Sequence, residues 1–197
     1  NGEWPPYLSE NLKNGGYVSD IIFQAYKKEN IDVKWVFLPW NRALERSKGG
    51  KYQGTVMWGY DEERAKSFLY TDPILNLETA FFIKKDSDFS WNSVEDLKGK
   101  KFGGEIGYIY GLEDAEKAGD IIIDRASKPD NNYRNLLRGK IDALLEVTQV
   151  GIAAIRRLGH DGKIVAYVKK LKSEPHSIII SKNIPNSLYL QQAFNKG

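Results

Sequence analysis

The sequence contains no cysteine and only two histidines, His160 and His176. Without cysteine the chain can form neither a disulfide nor a thiolate metal site. Two histidines without a companion cluster of ligands do not make a metal centre, and neither of them completes a catalytic triad. The sequence therefore predicts a protein that needs no metal and no cofactor.

The sequence also lacks long apolar runs and regions of one charge sign. No stretch approaches the roughly 18 consecutive apolar residues of a membrane-spanning helix, and no signal peptide is visible. The 29 basic and 26 acidic residues are interspersed and give a net charge of +3, so no basic stripe marks a nucleic-acid surface. A length of 197 residues with 41% hydrophobic content fits a globular protein of one large or two small domains, without nucleic acid as a partner.

What the chain does have in excess is aromatic residues, at 12% with five tryptophans. Several of these rings lie near predicted turns and strand ends, where they can form platforms for a flat ligand group. Core packing is the alternative explanation. We assign Trp4 and Trp40 to a ligand site, whereas strand alternation assigns Trp58 to the core.

Helical and strand-like patterns alternate along the chain. The spacing of apolar residues predicts helices at 17–30, 40–48, 94–97, about 110–117, 129–138, 147–158 and 186–195. Runs of β-branched and aromatic residues predict strands at 32–38, 52–58, 68–70, 78–85, 101–104, 120–124, 140–145, 163–167 and 177–181. This alternation predicts an α/β fold with mostly parallel sheets flanked by helices and with ligands at the carboxyl ends of strands.

The stretch 54–73 contains the most informative candidate residue, Arg64. It follows a predicted strand, Tyr60 and the acidic residues 61–63. A guanidinium group is planar, always charged and able to bind both oxygens of a carboxylate, so one role for Arg64 is a ligand anchor. The other is an ordinary surface ion pair with Glu62 or Glu63.

A second candidate lies at Gly107, after the predicted strand 101–104. Glycine lets a ligand approach main-chain N–H groups closely, and a helix starting at about Tyr110 would point its positive end at an anion. The alternative is that Gly107 only permits a tight turn. The segment lacks the spacing of a dinucleotide-binding or phosphate-binding glycine loop.

Catalysis has little support in the sequence. No candidate nucleophile has a plausible base, and the carboxylates of residues 61–63 lie together where solvent exposure explains them. We therefore expect a protein that is not an enzyme.

Taken together, the motifs resemble the family 3 extracellular solute-binding proteins, bacterial receptors for polar amino acids and similar solutes. The segments that carry the resemblance are 4–7, 39–42, 54–73, 97–103 and 137–143. The resemblance implies a two-lobed clamshell of the type II periplasmic binding fold, with lobe 1 formed by 1–83 and 179–197 and lobe 2 by 84–178. Hinge strands at 79–84 and 176–181 would let the lobes close on a ligand.

The resemblance also implies a role for each candidate residue. Arg64 matches the arginine that grips the α-carboxylate of the ligand, aided by backbone at Gly107 and Tyr108, while Trp4 and Trp40 match stacking aromatic residues. The candidate ligand-binding residues are Trp4, Trp40, Met57, Gly59, Tyr60, Arg64, Gly107, Tyr108, Ile109 and Val147.

The sequence departs from the family pattern where the α-ammonium group binds. Met57 and Gly59 replace small or hydroxyl residues, and Val147 replaces an aspartate. Strand alternation turns the neighbouring Glu146 away from the cleft that Val147 would face. We expect the carboxylate half of amino-acid recognition to be present and the ammonium half to be incomplete.

By resemblance, the protein captures a carboxylate-bearing solute, such as an amino acid or related organic acid, possibly one with an aromatic or apolar body. It would deliver the solute to the membrane permease of an ABC transporter, acting as a monomer in the periplasm or outside the cell. The alternatives are a ligand-sensing domain of a signalling receptor and a dehydratase-like or lyase-like enzyme on the same scaffold. Because family members begin with a strand before Trp4 and continue past Gly197, we expect this sequence to be trimmed at both ends.

Overall fold

The computed structural model describes residues 1–106, 108–126 and 128–197. Its helices are α1 (Tyr17–Lys28), α2 (Trp40–Lys48), α3 (Glu62–Ser67), α4 (Glu113–Lys117), α5 (Asp130–Leu137), α6 (Thr148–Arg157) and α7 (Ser187–Lys196). Its strands are β1 (Gly54–Trp58), β2 (Phe68–Tyr70), β3 (Leu75–Lys84), β4 (Lys101–Glu105), β5 (Ile122–Ala126), β6 (Ala143–Val147) and β7 (Ile164–Ser181). In the part of the chain that is described, no helix is long and apolar enough to span a membrane.

The chain forms two compact units. Unit 1 consists of Asn1–Leu77 and Glu174–Gly197, and unit 2 consists of Glu78–Ser173. The chain therefore passes from unit 1 to unit 2 within β3 and returns within β7. The sequence placed these passages near residues 83 and 179, and the closure of two lobes on a ligand stays a prediction.

Unit 2 is built on a sheet that is buried on both faces. Strand β4 pairs in parallel with β5 and β6, and β6 pairs antiparallel with β3. Phe81 and Leu145 belong to the core on one face, whereas Phe82 and Leu144 belong to the core on the other. Every residue of β6 is buried, which explains why this strand is apolar without alternation.

Unit 1 is built around the last part of β7. Strands β1 and β2 both pair with it in antiparallel orientation. Helix α1 buries Val18, Ile22 and Tyr26, which share one face of the helix, and the Tyr26 hydroxyl donates to the Leu190 carbonyl oxygen of α7 at 3.2 Å. The mostly parallel arrangement expected for each lobe holds for β5, β4 and β6 but not for these described pairs of unit 1.

Helix α2 has the bounds that the sequence predicted. Pro39 precedes its first residue, and the backbone leaves the helix at Gly49 and Gly50. Gly50 has a φ of 75°, a value that glycine adopts without the steric cost of a side chain. Strong local signals at both ends therefore made these bounds predictable.

The predicted strand 32–38 is wrong, because the structure has no strand there. Within the described chain, the backbone partners of this segment come from a single residue. The Asn1 amino group donates to Val36 and the Leu38 N–H donates to Asn1. One residue cannot form a ladder, so a segment with high β-propensity runs beside the sheet without joining it.

The predicted strands 163–167 and 177–181 are parts of one strand, β7. The intervening backbone stays extended, including Pro175, whose fixed φ is compatible with an extended path. Polar residues lie between the two apolar runs. They belong to the part of the strand where the chain leaves unit 2 and enters unit 1.

Two further boundaries differ from the prediction. Helix α4 begins at Glu113 rather than near Tyr110, because the Tyr110 and Gly111 N–H groups donate to the Glu113 carboxylate and hold a turn. Strand β6 ends at Val147 rather than at residue 145, since its antiparallel pairing with β3 continues to that residue. Glu146 and Val147 are therefore strand residues.

Candidate ligand-binding site

Arg64 lies in the first turn of the short helix α3. Asp61 is the N-cap of this helix, and its carboxylate accepts a hydrogen bond from the Arg64 N–H at 2.7 Å. A side chain at this position satisfies a helix N–H group that has no partner within the helix. Asp61, three residues before Arg64, thus fixes the backbone of Arg64 rather than neutralising its side chain.

The Arg64 guanidinium is bound by neutral groups. Its Nη1 donates to the Gly59 carbonyl oxygen at 2.9 Å and to the Tyr70 hydroxyl at 3.3 Å. Its central carbon lies 4.5 Å from the centroid of the Trp58 ring, in a cation–π contact. The predicted alternative of an ion pair with Glu62 or Glu63 is wrong for the described chain, and Glu63 instead binds Lys66 at 2.5 Å.

The opposite edge of the guanidinium, formed by Nε and Nη2, has N–H groups without a partner among the described residues. Among the described residues, neither Nε nor Nη2 of Arg64 donates a hydrogen bond, while Nη1 is occupied. Two parallel N–H groups on one edge match the two oxygens of a carboxylate. The half-buried side chain therefore presents a fixed, positively charged fork.

A β-bulge at Met57 sets the direction of the residues that follow it. The pairing of β1 with β7 shifts register between Val56 and Trp58, and Met57 has a φ of 65°. Non-glycine residues rarely adopt this region, and such strain concentrates at functional sites. Because the bulge breaks the alternation on which the core assignment of Trp58 rested, that ring is half-buried against Arg64. The side chain of Met57, at 4% exposure, lies in the core instead.

Three tryptophan rings form a row of contacts in space that begins at Arg64. The ring centroids of Trp58 and Trp40 are 5.5 Å apart and those of Trp40 and Trp4 are 6.1 Å apart, both in edge-to-face geometry. Each ring is partly exposed. Gly2 makes room for this packing, since a Cβ there would lie 2.2 Å from the Trp40 ring. The structure thus brings the predicted residues Trp4 and Trp40 together with Arg64 through Trp58.

Tyr60 and Tyr70 complete the surroundings of Arg64. Tyr60, a predicted site residue, is 69% exposed, and its ring centroid lies 5.3 Å from that of Tyr70. The Tyr70 hydroxyl also donates to the carbonyl of Gly59, another predicted residue, at 3.3 Å. Sequence reasoning missed Tyr70 because its position depends on α3 returning the chain toward β1, which no local signal indicates.

The predicted residues of unit 2 lie on a loop and at a strand end. The Tyr108 ring stacks on Tyr110 at 6.2 Å, and Tyr110 is buried. Ile109 is 72% exposed, and its carbonyl oxygen accepts from Lys172 Nζ at 2.6 Å. Gly107 lies outside the described residues. The predicted attraction of an anion by the helix N-terminus is weak here, because α4 is only five residues long.

Val147 ends β6 and is 6% exposed, while Glu146 beside it is 3% exposed. Oε1 of Glu146 accepts from the Val147 N–H at 2.8 Å. Burial and the neighbouring Glu105 raise the pKa of Glu146 well above its ordinary value. The position at which the family has an aspartate is thus held by an apolar residue, Val147. The adjacent acid, Glu146, is buried.

A separate cavity of about 180 Å³ lies in unit 1 among α1, the segment 31–36 and β1. Neither Arg64 nor the aromatic residues that contact Arg64 line this cavity. No group of acidic residues, histidines or cysteines in the described part of the chain is placed to hold a metal ion. The arginine and its aromatic neighbours thus remain the arrangement in unit 1 best suited to an anionic solute.

The sequence was compared with known protein families. The family of bacterial extracellular solute-binding proteins, family 3, matches residues 1–183. The chain belongs to this family. A curated relative, the probable histidine-binding protein of Campylobacter jejuni, is 27% identical over 210 aligned positions, which cover 100% of this chain and 76% of that protein.

Solved structures have the same fold. Holo ArgBP from T. maritima matches with a TM-score of 0.73 and 23% identity, covering 98% of this chain and 84% of that one. A histidine kinase sensor domain similar to periplasmic binding proteins matches with a TM-score of 0.76 and 21% identity, covering 98% and 85%. These likenesses confirm the predicted α/β periplasmic-binding fold.

Proposed function

We propose that the protein binds a small solute through a carboxylate held by Arg64. The observation that carries the proposal is the guanidinium edge at Nε and Nη2, which has no partner in the described chain while Nη1 is locked by Gly59 and Tyr70. A preformed fork of this kind loses little side-chain entropy when a carboxylate arrives. An amino acid or a related organic acid has the required group.

The aromatic residues favour a solute with a flat or apolar body. Trp58, Trp40 and Trp4 extend from the guanidinium as a continuous set of partly exposed rings. Each stacking contact adds roughly 0.5–1.5 kcal/mol beyond area burial. A curated relative is named as a probable histidine-binding protein and a structural neighbour as an arginine-binding protein, so both solutes belong in a first screen.

The biological role that we propose is capture without catalysis. The protein would act outside the cytoplasm, in the periplasm or at the cell surface, and pass its solute to the permease of an ABC transporter. Units 1 and 2 would be the two lobes, which close by hinge motion as β3 and β7 bend. Family membership supports this role.

A thermal-shift screen of amino acids and organic acids tests the binding proposal. The wild-type protein is compared with Arg64→Ala and with a control, Arg156→Ala, which removes an exposed arginine at the end of α6. We expect a carboxylate solute to raise the Tm of the wild type and of the control but not of Arg64→Ala. A hit that stabilises Arg64→Ala as much as the wild type would show that Arg64 does not hold the ligand.

The second candidate function is ligand sensing for a signalling receptor. The sensor domain of a histidine kinase has the same fold, so the fold serves both roles. Deleting the gene in the organism distinguishes the two functions. Loss of solute uptake would indicate a transporter component, whereas loss of the transcriptional response to the solute would indicate a sensor. An enzyme would instead convert the solute identified in the screen, which mass spectrometry of the incubated solute would detect.

A further inference from the structure

Glu105 is the last residue of β4, and Glu146 is the penultimate residue of the neighbouring parallel strand β6. The register of β4 and β6 pairs Phe102 with Ala143 and Gly103 with Leu144. Two residues further along, the same register places Glu105 opposite Glu146. Because alternate residues share a face, both carboxyl groups lie on the face where Leu144 packs in the core.

Glu146 is buried and Glu105 is half-buried, and their carboxyl groups lie within hydrogen-bonding distance of each other. Glu146 is 3% exposed, and its Oε1 already accepts from the Val147 N–H. An ionised carboxylate can only accept hydrogen bonds, so a bond between two carboxyl groups requires a proton on one of them. Glu146 is the more deeply buried of the two and is the better place for that proton, since burial disfavours the charged form.

Among the described residues on this side of the sheet, no cation forms an ion pair with Glu105 or Glu146. On α5, Asp130 is held by Arg157 of α6 through two hydrogen bonds of 2.9 and 2.6 Å. Tyr133 of α5 belongs to the same core as Leu144, and its buried hydroxyl has no partner among the described residues. Burial and, to a smaller extent, Asp130 raise the pKa of Glu105, and burial followed by the two glutamates raises the pKa of Tyr133.

The neighbouring strand and loop leave the pair equally uncompensated. Arg125 of β5 binds Glu116 with both Nη atoms, at 2.5 and 2.8 Å. Tyr108 and Tyr110 are neutral phenols, and the proximity of the glutamates raises the pKa of each. With Arg125 and Arg157 bound to other carboxylates, a proton is what reduces the repulsion between Glu105 and Glu146.

The pair is connected to the loop that carries predicted ligand-binding residues. The Glu105 N–H donates to the Tyr110 hydroxyl oxygen at 2.7 Å, and the Tyr110 ring stacks on Tyr108. Movement of Glu105 would therefore be transmitted to Tyr108 and Ile109 through Tyr110. Lys172, on β7, holds the Ile109 carbonyl from the other side.

We propose that Glu105 and Glu146 hold one proton between them, and that loss of this proton releases residues 108–111 from the end of β4. In the step itself the O–H bond of Glu146 breaks and the proton passes to water. Two buried carboxylates then face each other, and Glu105, the more exposed, moves away. The device is independent of the solute's identity and of the role proposed for Arg64.

The sign of the effect follows from linkage. An unfolded glutamate has a pKa of about 4.3, whereas the folded pair holds its proton to higher pH. Its contribution to stability is complete below the unfolded pKa and is lost as pH rises toward the folded value. Within that window the unfolding equilibrium constant rises by up to about tenfold per pH unit.

Chemical denaturation between pH 5.5 and 9 tests the shared proton. Glu146→Gln keeps the shape and donates an amide N–H in place of the acidic proton, while Glu45→Gln replaces an exposed glutamate of α2 as control. We expect the unfolding constant of the wild type and the control to rise with pH relative to that of Glu146→Gln. Parallel curves for all three proteins would overturn the proposal.

Hydrogen exchange of the backbone amides of residues 108–111 tests the release of the loop. After correction for intrinsic base catalysis, protection of these amides should fall in the wild type at high pH and persist in Glu146→Gln. Glu105→Gln serves as a second variant, because it removes the repulsion from the more exposed side and should also preserve protection. Amides of β4 provide the reference, and an equal loss of loop protection in all variants would contradict the proposed link.

Discussion

The central carbon of the Arg64 guanidinium lies 4.5 Å from the centroid of the Trp58 ring. One edge of the guanidinium donates hydrogen bonds to Gly59 and Tyr70, and the other edge has no hydrogen-bond partner among the described residues. The ring both positions the charge and limits its hydration. Arg64 is therefore held in place by neutral neighbours that do not compete for its charge.

Replacing Trp58 should weaken solute binding through Arg64. Trp58→Leu removes the cation–π contact, worth about 0.5–2 kcal/mol, and should lower affinity roughly 2- to 30-fold. Trp58→Phe retains an aromatic face and should lose less. Calorimetric titration measures both, with Trp35→Leu as control for a tryptophan that lines the separate cavity. Equal affinities for Trp58→Leu and Trp58→Phe would show that the cation–π contact does not contribute to binding.

Removing the Tyr70 hydroxyl should lower affinity without unfolding the protein. Tyr70→Phe deletes a partner of Arg64 Nη1 while leaving the Gly59 carbonyl paired with that same nitrogen. A hydrogen bond of this kind contributes about 0.5–1.5 kcal/mol, so we expect a Kd increased roughly 2- to 12-fold. Tyr189→Phe is the control, since Tyr189 is an exposed tyrosine of α7 whose hydroxyl makes no hydrogen bond to the described residues. A comparable loss in both variants would contradict the assignment.

Removing the N-cap of α3 should lower the stability of the protein. Asp61→Ala removes the acceptor of the Arg64 N–H and should reduce the free energy of unfolding by about 0.5–2 kcal/mol. Asp61→Asn retains an acceptor at the cap and should stay near the wild type. Denaturant titration gives the stabilities, and an Asn variant as unstable as the Ala variant would show that the charge, not the cap, is responsible.

Two buried tyrosines of unit 2 should respond oppositely to loss of the hydroxyl. The Tyr133 hydroxyl has no partner in the described chain, so Tyr133→Phe should leave the free energy of unfolding unchanged or raise it. The Tyr110 hydroxyl accepts from the Glu105 N–H, so Tyr110→Phe should cost about 1–3 kcal/mol. Equilibrium unfolding compares the two, and a larger loss at Tyr133 would mean that its hydroxyl has a strong partner.

The sequence predicted those features whose signals are local. Helix α2 was found with its bounds because Pro39 and the glycines at 49 and 50 punctuate the chain. Arg64 was chosen as a candidate from the turn around it, and its role as a ligand anchor stays a prediction. The family was recognised from several short local motifs and is confirmed. The segment 32–38 was misassigned because β-propensity shows a tendency to extend but does not supply a pairing partner.

Features that depend on register were not predictable in the same way. The bulge at Met57 redirects Trp58 toward Arg64, and nothing in the run of residues 54–58 indicates it. Glu105 and Glu146 lie far apart in sequence and become neighbours only through the pairing of β4 with β6. Their proximity could not be inferred from a sequence in which each looked like an ordinary strand-end acid.

The central claim, that Arg64 holds the carboxylate of the solute, is tested most directly by changing both partners. Calorimetry would compare the identified solute with its uncharged primary amide, in the wild type and in Arg64→Ala. A charge-assisted pair contributes about 1.5–3 kcal/mol, so the wild type should bind the acid roughly 10- to 150-fold more tightly than the amide. Arg64→Ala should bind the two forms alike, whereas an undiminished preference for the acid in Arg64→Ala would contradict the account.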